Sequence, residues 1–196
     1  MYKLWQMLAH TNGQTVNYSA FGNSLGLSHT SVKKYMDVLE GTFMIRQLRH
    51  YGGNTKKRLV KSPKVYITDN GLTNALLNLG SFEESTGHPA FGSLWENVVI
   101  ENIAGHFPRL SLSHYRNNHG NEIDLVLDDG QTRIAIECKS TRSPKLSRGN
   151  YSAIEDINPS KTFVAIPIAN GYPMKENIEV VSLNELIEKI PDTLKV

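Results

Sequence analysis

The chain has 196 residues, a hydrophobic fraction of 39%, a charged fraction of 20% and a net charge of +2, a mix that suits folded domains and excludes a disordered chain. No apolar run reaches the roughly 18 residues a membrane span needs, and Met1-Tyr2-Lys3-Leu4-Trp5 does not open a secretory signal, so no membrane partner is expected. Cys138 is the single cysteine, which excludes an intrachain disulfide, and the expected location is the cytoplasm.

The seven histidines are scattered without ligand spacing, so a Cys/His zinc site is not expected. Charge is uneven along the chain. Residues 1–87 carry ten Lys/Arg against five Asp/Glu, a net of +5. Residues 88–196 carry eleven against fourteen, a net of −3. A basic first half before an acidic second half suggests two units with different work.

Leu4, Met7 and Leu8 have helical spacing and predict a short first helix. It starts almost at Met1 with no capping residue ahead, as a fragment of a longer protein would. Gly13-Gln14 is a loop, and residues 18–25 are a second helix. Ser28 is a good N-cap for a third helix over 29–40. Its buried stripe is Val32, Tyr35, Met36 and Leu39. His29, Thr30, Lys33, Lys34 and Asp37 lie elsewhere on its surface.

Phe43 to Tyr51 has strand character. Gly52-Gly53-Asn54 turns the chain into a basic loop with Lys56, Lys57 and Arg58, and Val65-Tyr66-Ile67 returns as a strand. Asp69 caps a helix through about Leu79. Three helices followed by a two-stranded basic hairpin predict a winged helix-turn-helix. Lys33, Lys34, Lys56, Lys57 and Arg58 are its candidate contacts to the phosphates of DNA. A packing or protein-contact role for the same unit is the alternative.

Residues 80–89 are the predicted linker. A long helix follows over 91–106, then strands near 110–116, 122–128 and 132–139. A polar stretch, 140–150, leads to a helix near 150–156 and a buried strand from Thr162 to Ile168. Glu179 to Val181 is a short strand. Ser182-Leu183-Asn184-Glu185 is a capping box for a last helix to Ile190.

The informative segments are Asn121-Glu122-Ile123-Asp124 and Ile136-Glu137-Cys138-Lys139. Glu137 and Lys139 are two apart on a strand and face the same way. A tight turn at 129–130 pairs Asp128 with Gln131 and Asp124 with Ala135, leaving Glu137 the diagonal neighbour of Asp124 at roughly 7 Å. Ile123, Leu125, Leu127, Ile134, Ile136 and Cys138 occupy the other face. Two carboxylates beside an ammonium can bind Mg²⁺ and activate water against a phosphodiester. A surface cross-strand ion pair is the plainer reading. Arg116 could meet a phosphate or pair with Glu122. Arg142, Lys145 and Arg148 either steer nucleic acid or form a solvated face.

These residues resemble the PD-(D/E)XK nuclease superfamily, whose signature is an Asp on one core strand, Glu-x-Lys on the next and an acidic residue on the preceding helix. Asp124, Glu137 and Lys139 match, and Glu96 in Leu94-Trp95-Glu96-Asn97 matches the helix carboxylate. The expected chain is mixed α+β, α/β: a winged helix domain over 1–85, then, as the resemblance implies, an αβββαβ restriction-endonuclease-like domain over 86–196. The resemblance also implies Mg²⁺ or Mn²⁺ held by Asp124, Glu137 and Glu96, with Lys139 orienting the attacking water.

Nearly the whole chain is also similar to the C-terminal region of a family of prokaryotic AAA+ type ATPases. The matching segments are Leu25-Gly26-Leu27-Ser28, Lys64-Val65-Tyr66-Ile67-Thr68-Asp69, Phe91-Gly92-Ser93-Leu94-Trp95-Glu96-Asn97 and Ile136-Glu137-Cys138-Lys139-Ser140. In such proteins a P-loop ATPase module comes first, and no Gly-x-x-x-x-Gly-Lys-Ser/Thr occurs in these 196 residues. The expected activity is metal-dependent phosphodiester hydrolysis. Its rivals are a non-catalytic binding or regulatory region of an ATPase, and transcriptional regulation by the winged helix alone.

Overall fold

The computed structural model describes residues 2–52 and 62–194. They divide into two compact units: residues 2–48 with 62–97, and residues 49–52 with 98–194. The fold is mixed α+β. Among the described residues, no helix is long and apolar enough to cross a membrane.

The first unit opens with α1 (Tyr2–His10), β1 (Gln14–Thr15), α2 (Tyr18–Leu25) and α3 (His29–Gly41). Next come β2 (Ile45–Leu48), β3 (Lys64–Ile67), α4 (Asn70–Leu76) and α5 (Phe82–Gly87). The start of α6 (Phe91–His106) completes it. Its sheet is antiparallel, in the order β1-β3-β2. Side-chain caps set the helix starts. Asn17, Ser28, Asp69 and Ser81 each accept the backbone N–H three residues on, which satisfies a donor the helix leaves free. Leu8, Phe21, Val32, Met36, Ile45 and Ile67 form the centre of one core. Each contributes about 1.5–3 kcal/mol by leaving water.

Three local readings change here. Tyr35 is 41% exposed rather than buried. The true stripe of α3 is Val32, Met36 and Leu39, spaced four and three, and Tyr35 stands to one side of it. Phe43 is not in a strand: it has φ 59 and is 85% exposed. The N–H of Met44 bonds Leu39 O and that of Thr42 bonds Val38 O, which winds up the end of α3 and leaves Phe43 left-handed. The segment 80–89, read as a linker, contains α5, because Ser81 caps it.

The second unit holds β4 (Ser111–Arg116), β5 (Glu122–Asp128), β6 (Arg133–Cys138), α7 (Arg148–Ile157), β7 (Lys161–Ala165), β8 (Tyr172–Lys175), β9 (Ile178–Val181) and α8 (Leu183–Leu194). The six strands form one mixed sheet in the order β4-β5-β6-β7-β9-β8. β4, β5 and β6 are antiparallel neighbours, while β6-β7 and β7-β9 are parallel. Helix α7 makes the β6-to-β7 crossover and packs on β4, β5 and β6; α8 packs on β6, β7 and β9. Outside β4, the N–H of His114 bonds Arg49 O and the N–H of Tyr51 bonds His114 O. The box of Ser182 and Glu185 starts α8 as expected. Buried Leu194 carries the helix past Pro191, beyond the predicted end at Ile190.

The hairpin register differs from the sequence reading by two residues. Asp128 pairs with Arg133, not with Gln131. Asp129 Oδ1 accepts the N–H groups of Gln131 and Thr132 at 2.8 and 2.6 Å, and Asp128 Oδ1 accepts that of Gly130 at 2.7 Å. These bonds build a four-residue loop, with Gly130 at φ 92, where other side chains are strained. A shift of two keeps each side chain of β6 on its expected face.

Candidate functional site

The last backbone pair of the hairpin is Leu125 with Ile136. One step further along each strand come Asp124 and Glu137, opposite by count rather than diagonal. On the other side of β5 the pairing moves from Ser113–Val126 to Tyr115–Ile123. Three steps on β5 then face two on β4, so the extra residue of a bulge falls at Asp124–Leu125. The bulge also moves Ile123 onto the side of Val126. Both pack with Tyr115, Ala135, Ala153 and Ile157, against the expectation that Ile123 shares a face with Leu125.

Asp124 Oδ2 accepts the N–H of Cys138 at 3.0 Å. The next N–H of that segment, from Lys139, goes to Ala165 O of β7. The carboxylate thus takes the place of a strand carbonyl where the β5-β6 ladder ends. Glu137 is 4% exposed, and its Oε1 accepts from Lys139 Nζ at 2.6 Å. Burial pushes the Lys139 ammonium down, but the charges of Glu137, then Asp124, more than offset it, and its pKa lies above the ordinary 10.5. Asp124, Glu137 and Lys139 are therefore brought together at one end of β5 and β6.

Glu96 belongs to the first unit. Its Oε1 accepts from Lys64 Nζ at 2.8 Å and from the hydroxyl of Tyr66. The Lys64 side chain is 4% exposed and that of Glu96 12%. This is a buried ion pair between β3 and α6, thirty-two residues apart in sequence. Among the described residues, no group of three or more His, Cys, Asp or Glu is placed to hold a metal ion. Within the first unit, the Glu96 carboxylate serves an ammonium. Lys64 and Tyr66 were missed as its partners. A lysine heading an otherwise apolar strand was the available signal, since such a lysine is rarely buried unpaired.

Lys33 and Lys34 are exposed on α3, beside exposed His29 and Thr30. Lys56, Lys57 and Arg58 lie outside the described residues. Arg116 pairs with Glu122 across β4 and β5 at 3.4 Å. Arg142, Lys145 and Arg148 are exposed on the segment after β6. A polar group unforeseen from sequence ties α7 to this end of the sheet. Asn150 donates to Glu122 O, Asn121 to Ser152 Oγ, and the Tyr115 hydroxyl to Asp156. Burial and Asp156 push the Tyr115 phenol up to about 12.

Two family models match the chain. Residues 1–83 match a domain of unknown function, DUF8612, and residues 91–186 match another, DUF4143. Two uncharacterised proteins, one from Mycobacterium bovis and one from Mycobacterium tuberculosis, are each 29% identical over 187 residues. The match covers 95% of this chain and 42% of theirs, so the chain spans less than half the length of these curated relatives. Among solved structures, a Vibrio cholerae protein is similar at 11% identity and a TM-score of 0.29, over 95% of this chain and 52% of its own. Those values establish no common fold.

Proposed function

We propose that this chain is a nucleic-acid-processing module: a winged helix joined to a PD-(D/E)XK-like domain that hydrolyses phosphodiesters. The observation that carries this reading is the convergence of Asp124, Glu137 and Lys139 where β5 and β6 end. The donor set fits a hard cation. Mg²⁺ is commonly held by one or two carboxylates, with water and substrate phosphate completing its shell. Asp124 and Glu137 would hold Mg²⁺ or Mn²⁺, which when bound supplies Lewis-acid polarisation of a phosphoryl oxygen. Lys139 sits beside both carboxylates, where an ammonium can orient a water and meet charge that develops in the transition state.

In the first unit, the order of three helices and three antiparallel strands supports the winged helix, with α3 as the helix that meets DNA. Lys33 and Lys34 would contact phosphates, aided by Lys56, Lys57 and Arg58. Arg116, already paired with Glu122, is the weakest of the proposed phosphate contacts. The DUF4143 match supports a place C-terminal to an AAA-type ATPase module, since that domain is typically found there.

A second reading, non-catalytic binding or regulation within an ATPase, has its own support. Asp124 is engaged by a backbone N–H and Glu137 by the Lys139 ammonium, so both carboxylates are met without a metal ion. The test is cleavage of plasmid, linear and branched DNA in Mg²⁺ or Mn²⁺, by wild type and Lys139→Ala. Hydrolysis predicts a loss on the order of 10²-fold in rate for Lys139→Ala, with DNA affinity within a few-fold. DNA binding with no cleavage by any form, the ATPase module supplied, leaves the second reading.

A further inference from the structure

The segment between β6 and α7, with the first residue of α7, carries Arg142, Lys145 and Arg148. We infer that these three cations form a binding surface for the phosphate backbone of a nucleic acid, beside the bond to be cut. The inference rests on the phosphodiester reading above and says where that substrate lies.

Charge is the first observation. Residues 139–154 hold four Lys/Arg and no Asp/Glu, whereas residues 88–196 as a whole are net −3. All three residues are exposed. Among the described residues, none of the three makes a hydrogen bond or an ion pair through its side chain. Other cations of this unit are met: Arg116 by Glu122, Lys139 by Glu137, and Lys161 and Lys189 both by Glu179. Unpaired cations gathered in one segment of an acidic region attract a polyanion to that segment.

Position is the second. The segment leaves β6 directly after Lys139, so Arg142 is at most about 11 Å of chain away from it. Its other end is tied back to the start of β5. Asn150 Nδ2 donates to Glu122 O at 3.0 Å, and Asn121 Nδ2 donates to Ser152 Oγ at 3.0 Å. Asn150 is 7% exposed, and its Oδ1 also accepts the N–H of Ser147, which closes the cap of α7. Gly149 permits this close approach, since a Cβ there would meet Asn121 Oδ1 at 3.3 Å. The segment therefore begins beside Lys139 and ends beside Glu122, two residues before Asp124. It brackets the end of β5 and β6 where Asp124, Glu137 and Lys139 meet.

Anchoring is the third. Pro144 is buried, and Leu146 packs on the cluster of Val164, Ile166, Ile178 and Val180. These two residues stand between the cations and hold the backbone down while the charged ends stay in water. A surface already held in place loses less conformational freedom on binding than a free loop does. Phosphates recur about every 3.4 Å of duplex axis on each strand, so cations spread over seven residues can meet more than one.

The test is fluorescence anisotropy of a labelled DNA duplex of about 20 base pairs with the full chain, over a range of NaCl, without divalent metal so that no cleavage intervenes. Wild type is compared with the triple variant Arg142→Gln, Lys145→Gln, Arg148→Gln and with Arg109→Gln. Arg109 is exposed in the turn ahead of β4, whose first residue pairs with Asp128 at the far end of β5. The triple variant is expected to bind roughly tenfold or more weakly at low salt. Its slope of log affinity against log salt should be shallower by roughly 0.9 for each phosphate no longer met. Arg109→Gln should match wild type. Should the triple variant fail to fold, Lys145→Gln alone should lower the slope by roughly 0.9. In Mn²⁺, the triple variant should raise KM and leave kcat near wild type, because it removes binding common to ground and transition states. A shallower slope with no cleavage by any form keeps the surface and removes hydrolysis. Wild-type binding with an unchanged slope in the triple variant overturns the surface alone. An equal effect per charge from Arg109→Gln, or no binding by wild type, overturns it as well.

Discussion

Asp124 Oδ2 holds the backbone N–H of Cys138 at 3.0 Å, across the end of the β5-β6 ladder. The same carboxylate raises the affinity of Lys139 for its proton. Asp124 thus has a structural duty that does not depend on a metal. Asp124→Ala would leave the Cys138 N–H short of its acceptor and is expected to destabilise the protein by about 1–3 kcal/mol in urea unfolding. Asp124→Asn keeps an acceptor oxygen and should unfold close to wild type. If the cation site is real, both variants lose Mn²⁺ binding by calorimetry. Equal stability of all three proteins would remove the structural duty.

Lys139 gives a pH dependence. Its folded pKa is raised, because Glu137 and Asp124 outweigh the effect of burial. The charged form is therefore bound more tightly in the folded state. That stabilisation is full below the unfolded lysine value of about 10.5 and fades as pH rises through the folded value. Wild type should lose stability in that alkaline window relative to Lys139→Met. Parallel stability curves for the two from pH 9 upward would contradict the pairing.

Lys64 and Glu96 make a buried pair, and burial makes each costly without the other. Lys64→Met should destabilise by about 3–5 kcal/mol, since it leaves the carboxylate buried without its ammonium. Lys64→Met with Glu96→Gln should be more stable than Lys64→Met alone, because the lone charge is gone and Tyr66 keeps an acceptor. A double-mutant cycle in denaturant reads this coupling directly. Additive losses would mean that the pair is not coupled.

The exposed lysines of α3 make a salt prediction. If Lys33 and Lys34 meet phosphates, replacing both with Ala weakens DNA binding at low salt. The slope of log affinity against log salt then becomes shallower, by roughly 0.9 for each phosphate that is no longer neutralised. Fluorescence anisotropy with a labelled duplex over a range of NaCl measures it. An unchanged slope would assign α3 to protein contact.

What the sequence by itself determined is what short-range chemistry dictates. Ser28, Asp69 and the Ser182–Glu185 box mark helix starts because a capping oxygen reaches only a few residues along the chain. Glu137 and Lys139 share a face because the strand repeat is two. Their meeting with Asp124 survived a wrong register because the error was an even number of residues. Tertiary structure alone decided what depends on distant groups. The bulge at Asp124 needs β4 beside β5, and its effect on Ile123 cannot be read from alternation. The loop at 129–132 was set by Asp129 gathering N–H groups, which lengthened the turn. Glu96 had a matching motif on its helix, yet its partner comes from β3. A carboxylate takes the cation that packing brings within reach, and packing is settled by the whole unit, not by the four residues around it.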